Sequence, residues 1–144
     1  FGGGALDAYV PGGTTWTPVF TFATPGDIGV VYTTQEGIYI RVGNVCLWEV
    51  NLQFTPTFTT SSGNMKVSGF PFTASAIGVP GSCTAGSNIT YFALSTFITS
   101  RNDVSNITFQ LIANGSGQSV APLTTAHITS AVASSIRASG WFYI

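Results

Sequence analysis

The chain has 144 residues, close to the commonest domain size, and 44% of them are hydrophobic, which is enough for one sizeable core. Charged residues make up only 6% of the chain and the formal net charge is −1. A chain with so little positive charge has no basic stripe for phosphates, so the composition argues against binding nucleic acid or an anionic membrane surface. No run of about 18 apolar residues occurs in the sequence, so we predict no membrane insertion.

The scarcity of charge also bears on assembly. A surface built from Ser, Thr, Asn and Gln lacks a usual protection against association. We therefore expect an obligate oligomer, in which shared surfaces are buried.

The amino-terminal residues 1–13 are rich in glycine and contain Pro11, which predicts a connector to a preceding segment. Residues 14–144 then form the predicted β domain. Trp16 to Phe22 is its first strand, at an edge or with a bulge, because Pro18 cannot donate to a strand ladder. Thr24 to Asp27 has the chemistry of a turn, and Ile28 to Thr34 is predicted as a second strand.

A β-hairpin is predicted from Glu36 to Phe54, with Gly43-Asn44 as a two-residue type II′ turn. Alternation on the second arm predicts that Cys46, Trp48 and every second residue to Phe54 face the core. On the first arm, the same pattern predicts a core face of Ile38, Ile40 and Val42 and an outer face of Tyr39 and Arg41.

Further strands and loops follow by the same criteria. Long loops or irregular structure are predicted for 55–64 and 73–88, a loop tip for Arg101-Asn102-Asp103, and a glycine-rich turn for 114–118. Strands are predicted for 65–72, 89–99, 104–113 and 135–144, and a short helix competes only within 119–134. The last strand turns Ile136, Ala138, Gly140, Phe142 and Ile144 to one face. These elements predict an all-β, antiparallel β-sandwich.

The two cysteines, Cys46 and Cys83, are too few for a disulfide framework or a zinc site. Because Cys46 shares a face with Trp48 and Val50, we interpret it as a buried free thiol. A bridge between Cys46 and Cys83 is the alternative.

Catalytic constellations are not evident. His127 is the single histidine, no Gly-x-Ser-x-Gly motif presents a nucleophile, and the five acidic residues are scattered through different elements. No metal-ligand spacing occurs. We expect a non-enzymatic protein without cofactor or metal, and keep a polysaccharide hydrolase as a weaker alternative.

Binding is the remaining class of function. Outward aromatics beside neutral polar side chains suit a sugar, which offers hydroxyls and an apolar ring face; aromatics and arginine are equally typical of subunit interfaces. The candidate ligand- or interface-binding residues are Tyr39, Arg41, Asn102, Asp103, Arg137, Trp141 and Tyr143.

Several short motifs occur in an order that resembles the carboxyl-terminal β-domain of bacteriophage tail fibres and tailspikes. They are Leu6-Asp7-Ala8-Tyr9, Thr15-Trp16-Thr17-Pro18, the stretch from Gly37 to Val45, the stretch from Gly69 to Ala74, and a glycine-aromatic carboxyl end. The resemblance implies a jelly-roll-like sandwich that forms a homotrimer, follows a preceding fibre or tail segment, and is assembled in the bacterial cytoplasm into the virion. It further implies contact with a bacterial surface polysaccharide or, alternatively, a structural module that trimerises and caps the fibre. It implies no catalytic residues.

Overall fold

A computed structural model describes the chain at residues 13–73, 80–85, 88–89, 95–103, 108–115 and 121–144. The described strands are β1 (Thr14–Trp16), β2 (Val19–Thr24), β3 (Gly29–Val42), β4 (Val45–Thr57), β5 (Ser62–Ser68), β6 (Pro80–Ala85), β7 (Ser95–Asp103), β8 (Thr108–Gly115), β9 (Ala121–Pro122) and β10 (Ser134–Tyr143). The predicted all-β class is confirmed, and every pairing of these strands is antiparallel.

The strands follow one another across the sheet in the order β1-β3-β4-β10-β6-β7-β8-β5-β2, and β9 pairs with β8. The consecutive strands β1 and β2 thus lie at opposite ends of this path, separated in sequence only by Thr17 and Pro18. Proline cannot donate a ladder hydrogen bond, so the chain leaves one edge here and begins the other. The predicted single strand from Trp16 to Phe22 is therefore wrong, since two strands occur here, but the predicted edge position is confirmed for both.

The core lies where the two ends of this path pack face to face. The Phe20 ring of β2 contacts the Phe54 ring of β4, with centroids 4.4 Å apart, and the Phe20 amide donates to the Tyr32 hydroxyl of β3 at 2.8 Å. Trp16 stacks on Phe70 at 4.2 Å. Burial of these large side chains is the main force that holds the layers together.

The strands β4 and β10 are neighbours in this order. Their register runs without interruption from Ser134 opposite Phe54 to Tyr143 opposite Val45. The predicted inner faces of both strands are confirmed, since Cys46, Leu52, Ile136 and other residues of that parity are buried.

Cys46 is a free, buried thiol, as predicted, so the alternative bridge to Cys83 is wrong. Burial raises the pKa of this thiol to about 11, and the opposing effect of Arg41 is smaller.

The face prediction for the first hairpin arm is wrong, and a β-bulge explains why. The register of β3 against β4 shifts between Tyr32 and Thr34, which leaves Thr33 as an extra residue. Before the bulge, even-numbered residues such as Tyr32 point inward. After it the parity is reversed, because a one-residue slip moves every side chain to the other face.

Beyond the bulge, Gly37 is buried and Tyr39 packs against the core, whereas Ile38, Ile40 and Val42 are exposed. Gly37 is required there because a Cβ atom at this position would lie 2.4 Å from Nε1 of Trp16. The Trp16 indole therefore occupies the inner space that a side chain of residue 37 would take.

Both predicted turns around β3 occur. Of Gly43 and Asn44, only Gly43 has a positive φ, +57°, which fits the predicted type II′ hairpin turn. The turn before β3 lies one residue later than predicted, since the Ile28 amide donates to the Pro25 carbonyl at 3.2 Å.

Several predicted loops are strands. β4 continues to Thr57 with Pro56 buried, so only 58–61 of the predicted 55–64 loop connects strands. β6 occupies 80–85 within the segment predicted to be irregular, and Asn114 and Gly115 belong to β8. The competing helix reduces to a 3₁₀ turn at Thr125–His127.

Candidate functional site

The outer face of β3, β4 and β10 carries the candidate site. Because the three strands are adjacent and antiparallel, their outward residues line up in rows across the sheet. The register defines two apolar rows near the hairpin turn: Ile40, Leu47 and Trp141 form one, and Val42, Val45 and Tyr143 form the other. With Ile38, which lies beside the first row, we call these residues the apolar face.

Large apolar side chains on this face are open to solvent. Leu47 is 47% exposed, Tyr143 is 48% exposed and Ile38 is 45% exposed. Trp141 and Tyr143 contact each other edge to face, with centroids 5.3 Å apart. A contiguous exposed apolar surface of this kind is typical of an interaction site, whereas isolated exposed hydrophobics are ordinary.

A shallow groove of about 350 Å³ runs across the apolar face. Its described lining includes the apolar side chains of Ile38, Ile40, Leu47 and Trp141 and the polar side chains of Glu49 and Ser139. The groove is therefore mainly apolar and has two polar side chains in its lining.

A polar row separates the apolar face from the rest of the sheet. The Asn51 side-chain amide donates to a carboxylate oxygen of Glu36 at 3.1 Å and accepts from Nε of Arg137 at 3.3 Å. These residues are directly opposite one another on the three strands. An apolar centre with a hydrogen-bonded polar border is the usual anatomy of a protein interface.

The predicted outward position of Tyr39 and Arg41 is wrong. The Tyr39 ring packs edge to face on Phe72 at 5.3 Å, and the Arg41 guanidinium lies over the same ring at 5.3 Å from its centroid. Arg41 also donates from Nε to the Gly43 carbonyl at 2.8 Å, which braces the hairpin turn. Both residues thus stabilise the hairpin from its inner side.

Of the other predicted site residues, Arg137, Trp141 and Tyr143 lie on the outer face as expected. The prediction that Asn102 and Asp103 form a loop tip is wrong. They end β7, where they pair with Phe109 and Thr108 of β8. Trp141 and Tyr143 therefore share the apolar face with aliphatic residues of the hairpin.

Sequence reasoning missed Ile38, Ile40, Val42 and Leu47 as surface residues. For Leu47 a signal existed, because it has the same parity as Glu49 and Asn51. For the three residues of β3 no such signal was present, since apolar alternation by itself indicates a core face.

The described residues contain no group of three or more His, Cys, Asp or Glu side chains that could hold a metal ion. His127 closes a capping box, in which its Nδ1 accepts from the Thr124 amide at 2.9 Å. This contact gives the histidine a structural role.

No family model, curated protein or solved structure matches the chain. Within the described ranges, no helix has the length and hydrophobicity needed to cross a membrane.

Proposed function

We propose that the chain is a non-enzymatic β-domain of a phage tail fibre or tailspike, and that its apolar face is the surface through which copies of the chain assemble as a homotrimer. The observation that carries this proposal is the exposure of Ile38, Ile40, Val42, Leu47 and Trp141 on one side of three adjacent strands. Burying such side chains against a neighbour removes apolar area from water at about 25 cal/mol per Å².

The charge of the chain supports a second copy as the partner. With a net charge of −1, identical chains repel one another only weakly. The border of the apolar face also carries both signs, as Glu36 and Glu49 lie close to Arg137 in the register. A neighbouring copy would therefore meet complementary charges at the rim.

The threefold symmetry, the jelly-roll-like topology and the place in a virion fibre rest on the resemblance of the sequence motifs to phage fibre domains. In that setting the apolar face would lie against the two sister chains, and the connector 1–13 would follow a preceding fibre segment.

The interface is tested by introducing a charge into it. Leu47→Lys is expected to convert the trimer to folded monomer, because the lysine would be buried without a partner in the assembly. Val31→Lys is the matched control, since Val31 lies on β3, the strand next to that of Leu47, is 72% exposed and belongs to neither apolar row. Size-exclusion chromatography with light scattering gives the mass, and circular dichroism shows that both variants are folded. A trimer that survives Leu47→Lys would contradict the proposed interface.

Recognition of a bacterial surface polysaccharide is the second candidate function, and it is compatible with trimer assembly. It is favoured by the surface outside the apolar face, where β4 and β10 present Asn51, Gln53 and Ser135. Neutral hydroxyl and amide groups suit the hydroxyls of a sugar. A glycan array probed with the assembled domain tests it, and an absence of binding to every host-derived polysaccharide would contradict it.

A further inference from the structure

A second cleft opens on the outer face of the same three strands, at the end away from the hairpin turn. It has a volume of about 310 Å³ and is lined by Thr33, Gln53, Phe54, Ala133, Ser134 and Ser135. The polar row of Glu36, Asn51 and Arg137 separates this cleft from the apolar face. An assembly built through the apolar rows would therefore leave the cleft on a separate part of the surface.

The bulge in β3 contributes one wall of the cleft. Thr33 is the extra residue that has no partner on β4, and a bulge of this kind bends the strand that carries it. On the opposite side the cleft is bounded by β10, where Ser135 pairs with Gln53. The cleft thus follows from the same irregularity that reverses the faces of β3.

The other wall is a segment with a fixed but unusual backbone. Ala131 has φ +62°, and its amide donates to the Pro56 carbonyl at 2.7 Å. Asn88, at φ +66°, donates from its side-chain amide to the Ala133 carbonyl. Positive φ is unfavourable for residues other than glycine, and such conformations concentrate at binding sites, where the surrounding structure holds them.

The lining of the cleft is polar and uncharged. Hydroxyls of Thr33 and Ser135 and the amide of Gln53 reach it, and within the described part of the chain no hydrogen bond engages these three side chains. Ser134 is buried, and its hydroxyl donates to the Val132 carbonyl at 3.3 Å, so its lone pairs remain available as acceptors. Phe54 adds an apolar contribution to the wall.

We propose that this cleft binds one sugar unit of a neutral saccharide. Paired hydroxyls and an amide can donate to and accept from sugar hydroxyls, and the volume suits a single ring. None of the described residues that line the cleft is cationic and could offset a carboxylate or sulfate, so an uncharged sugar is preferred to an acidic one. This inference rests on the saccharide recognition in the proposed function, and it moves that recognition away from Trp141 and Tyr143.

The test is a titration of the whole ¹⁵N-labelled 144-residue chain followed by NMR. The neutral probes are the methyl glycosides of glucose, galactose, mannose and N-acetylglucosamine, and the charged probes are glucuronate and N-acetylneuraminate. We expect saturable shifts from at least one neutral probe, confined to amides near 33, 53–54 and 133–135 and to the Gln53 side-chain amide.

Variants then locate the site. Gln53→Ala and Ser135→Ala are each expected to weaken binding roughly fivefold, as for the loss of one hydrogen bond. Ser139→Ala is the matched control on β10, because Ser139 lies in the other groove, and its affinity should equal that of the wild type.

Three results would overturn the proposal in different ways. If a saccharide binds and neither cleft variant changes its affinity, the cleft is not the site, although saccharide recognition stands. If no neutral probe gives saturable shifts and the glycan array is also blank, saccharide recognition falls together with the cleft. Preferential binding of the charged probes would contradict the stated ligand class.

Discussion

Gly37 shows how one residue without a side chain sets the packing of a whole edge of the sheet. The Trp16 indole covers Gly37 and stacks on Phe70, so this ring anchors the strand β1, which is only three residues long, in addition to its pairing with β3. The pairing of Trp16 with Gly37 is also the end of the β1 to β3 register. Space at residue 37 is therefore a condition for the docking of β1.

Gly37→Ala is expected to destabilise the fold by about 1–3 kcal/mol, the usual cost of overpacking a core. The added Cβ would lie 2.4 to 2.7 Å from three atoms of the Trp16 indole, which is rigid and cannot yield at one end. Gly29→Ala is the control in the same strand, because its Cβ would meet only the terminal hydroxyl of Thr57 at 2.9 Å. Urea unfolding measures both, and equal stability losses would refute the explanation.

Asp27 fastens the turn before β3 to the connection between β4 and β5. Its carboxylate accepts from the amides of Thr59 at 2.9 Å and Thr60 at 2.8 Å and from the Thr59 hydroxyl, and its own amide donates to the Thr60 hydroxyl at 3.1 Å. These bonds, foremost that from the Thr59 hydroxyl, hold the pKa of Asp27 far below its usual range.

The sign of this pKa shift predicts a pH dependence for Asp27→Asn. A depressed pKa means that the carboxylate stabilises the fold fully above its unfolded-state pKa of about 4, and that the benefit declines as the pH falls toward the lower folded-state pKa. The wild type should exceed the variant in stability at pH 7, with the difference narrowing progressively below pH about 4. Urea midpoints across this range test it, and a constant difference would be incompatible with the ionised carboxylate as the cause.

At the scale of elements, the bulge at Thr33 determines which face of β3 meets solvent. Val30 and Tyr32 pack inward before it, and Gly37 and Tyr39 pack inward after it. Without the extra residue, the side chains of one half of β3, either before or after the bulge, would have to point to the opposite face of the sheet. Both the apolar face and the polar cleft therefore depend on a single irregular position.

Deletion of Thr33 is expected to lower the free energy of unfolding by more than about 4 kcal/mol, a loss typical of changes that disrupt the core. Turning over the first half would lose the hydrogen bond from the Phe20 amide to the Tyr32 hydroxyl, and turning over the second would drive Ile38 toward Trp16. Thr33→Ala keeps the residue count and should change stability by less than about 0.5 kcal/mol. Thermal unfolding compares the two, and a well-folded deletion variant would show that the bulge does not set the register.

The same elements show how far the sequence predicts the fold. The alternation of apolar and polar residues predicted the inner faces of β4 and β10 correctly. No bulge interrupts the register between these strands, so every second residue faces inward from end to end. Alternation failed for β3, since a bulge leaves no mark in a run of alternating apolar residues. It also missed β6, where the glycine and proline of Pro80-Gly81 indicated a loop although the backbone pairs with strands on both sides. The outward position of Trp141 and Tyr143 was therefore predictable, whereas the aliphatic half of the apolar face and the cleft at Thr33 were not.

The molecule as a whole combines few charged residues with an exposed apolar surface on adjacent strands. Such a surface favours association, and the polar row of Glu36, Asn51 and Arg137 gives it a defined border. The proposed trimer would bury the apolar face. The cleft beyond the border would remain accessible to a neutral sugar. Assembly is thus the claim on which the rest of the functional account depends.

Sedimentation equilibrium of the wild-type chain at micromolar concentration tests that claim most directly. We expect a mass three times the 15.0 kDa of one chain, and a reduction to a single chain mass in the Leu47→Lys variant but not in Val31→Lys. A wild-type protein that sediments as a stable 15.0 kDa monomer would contradict it.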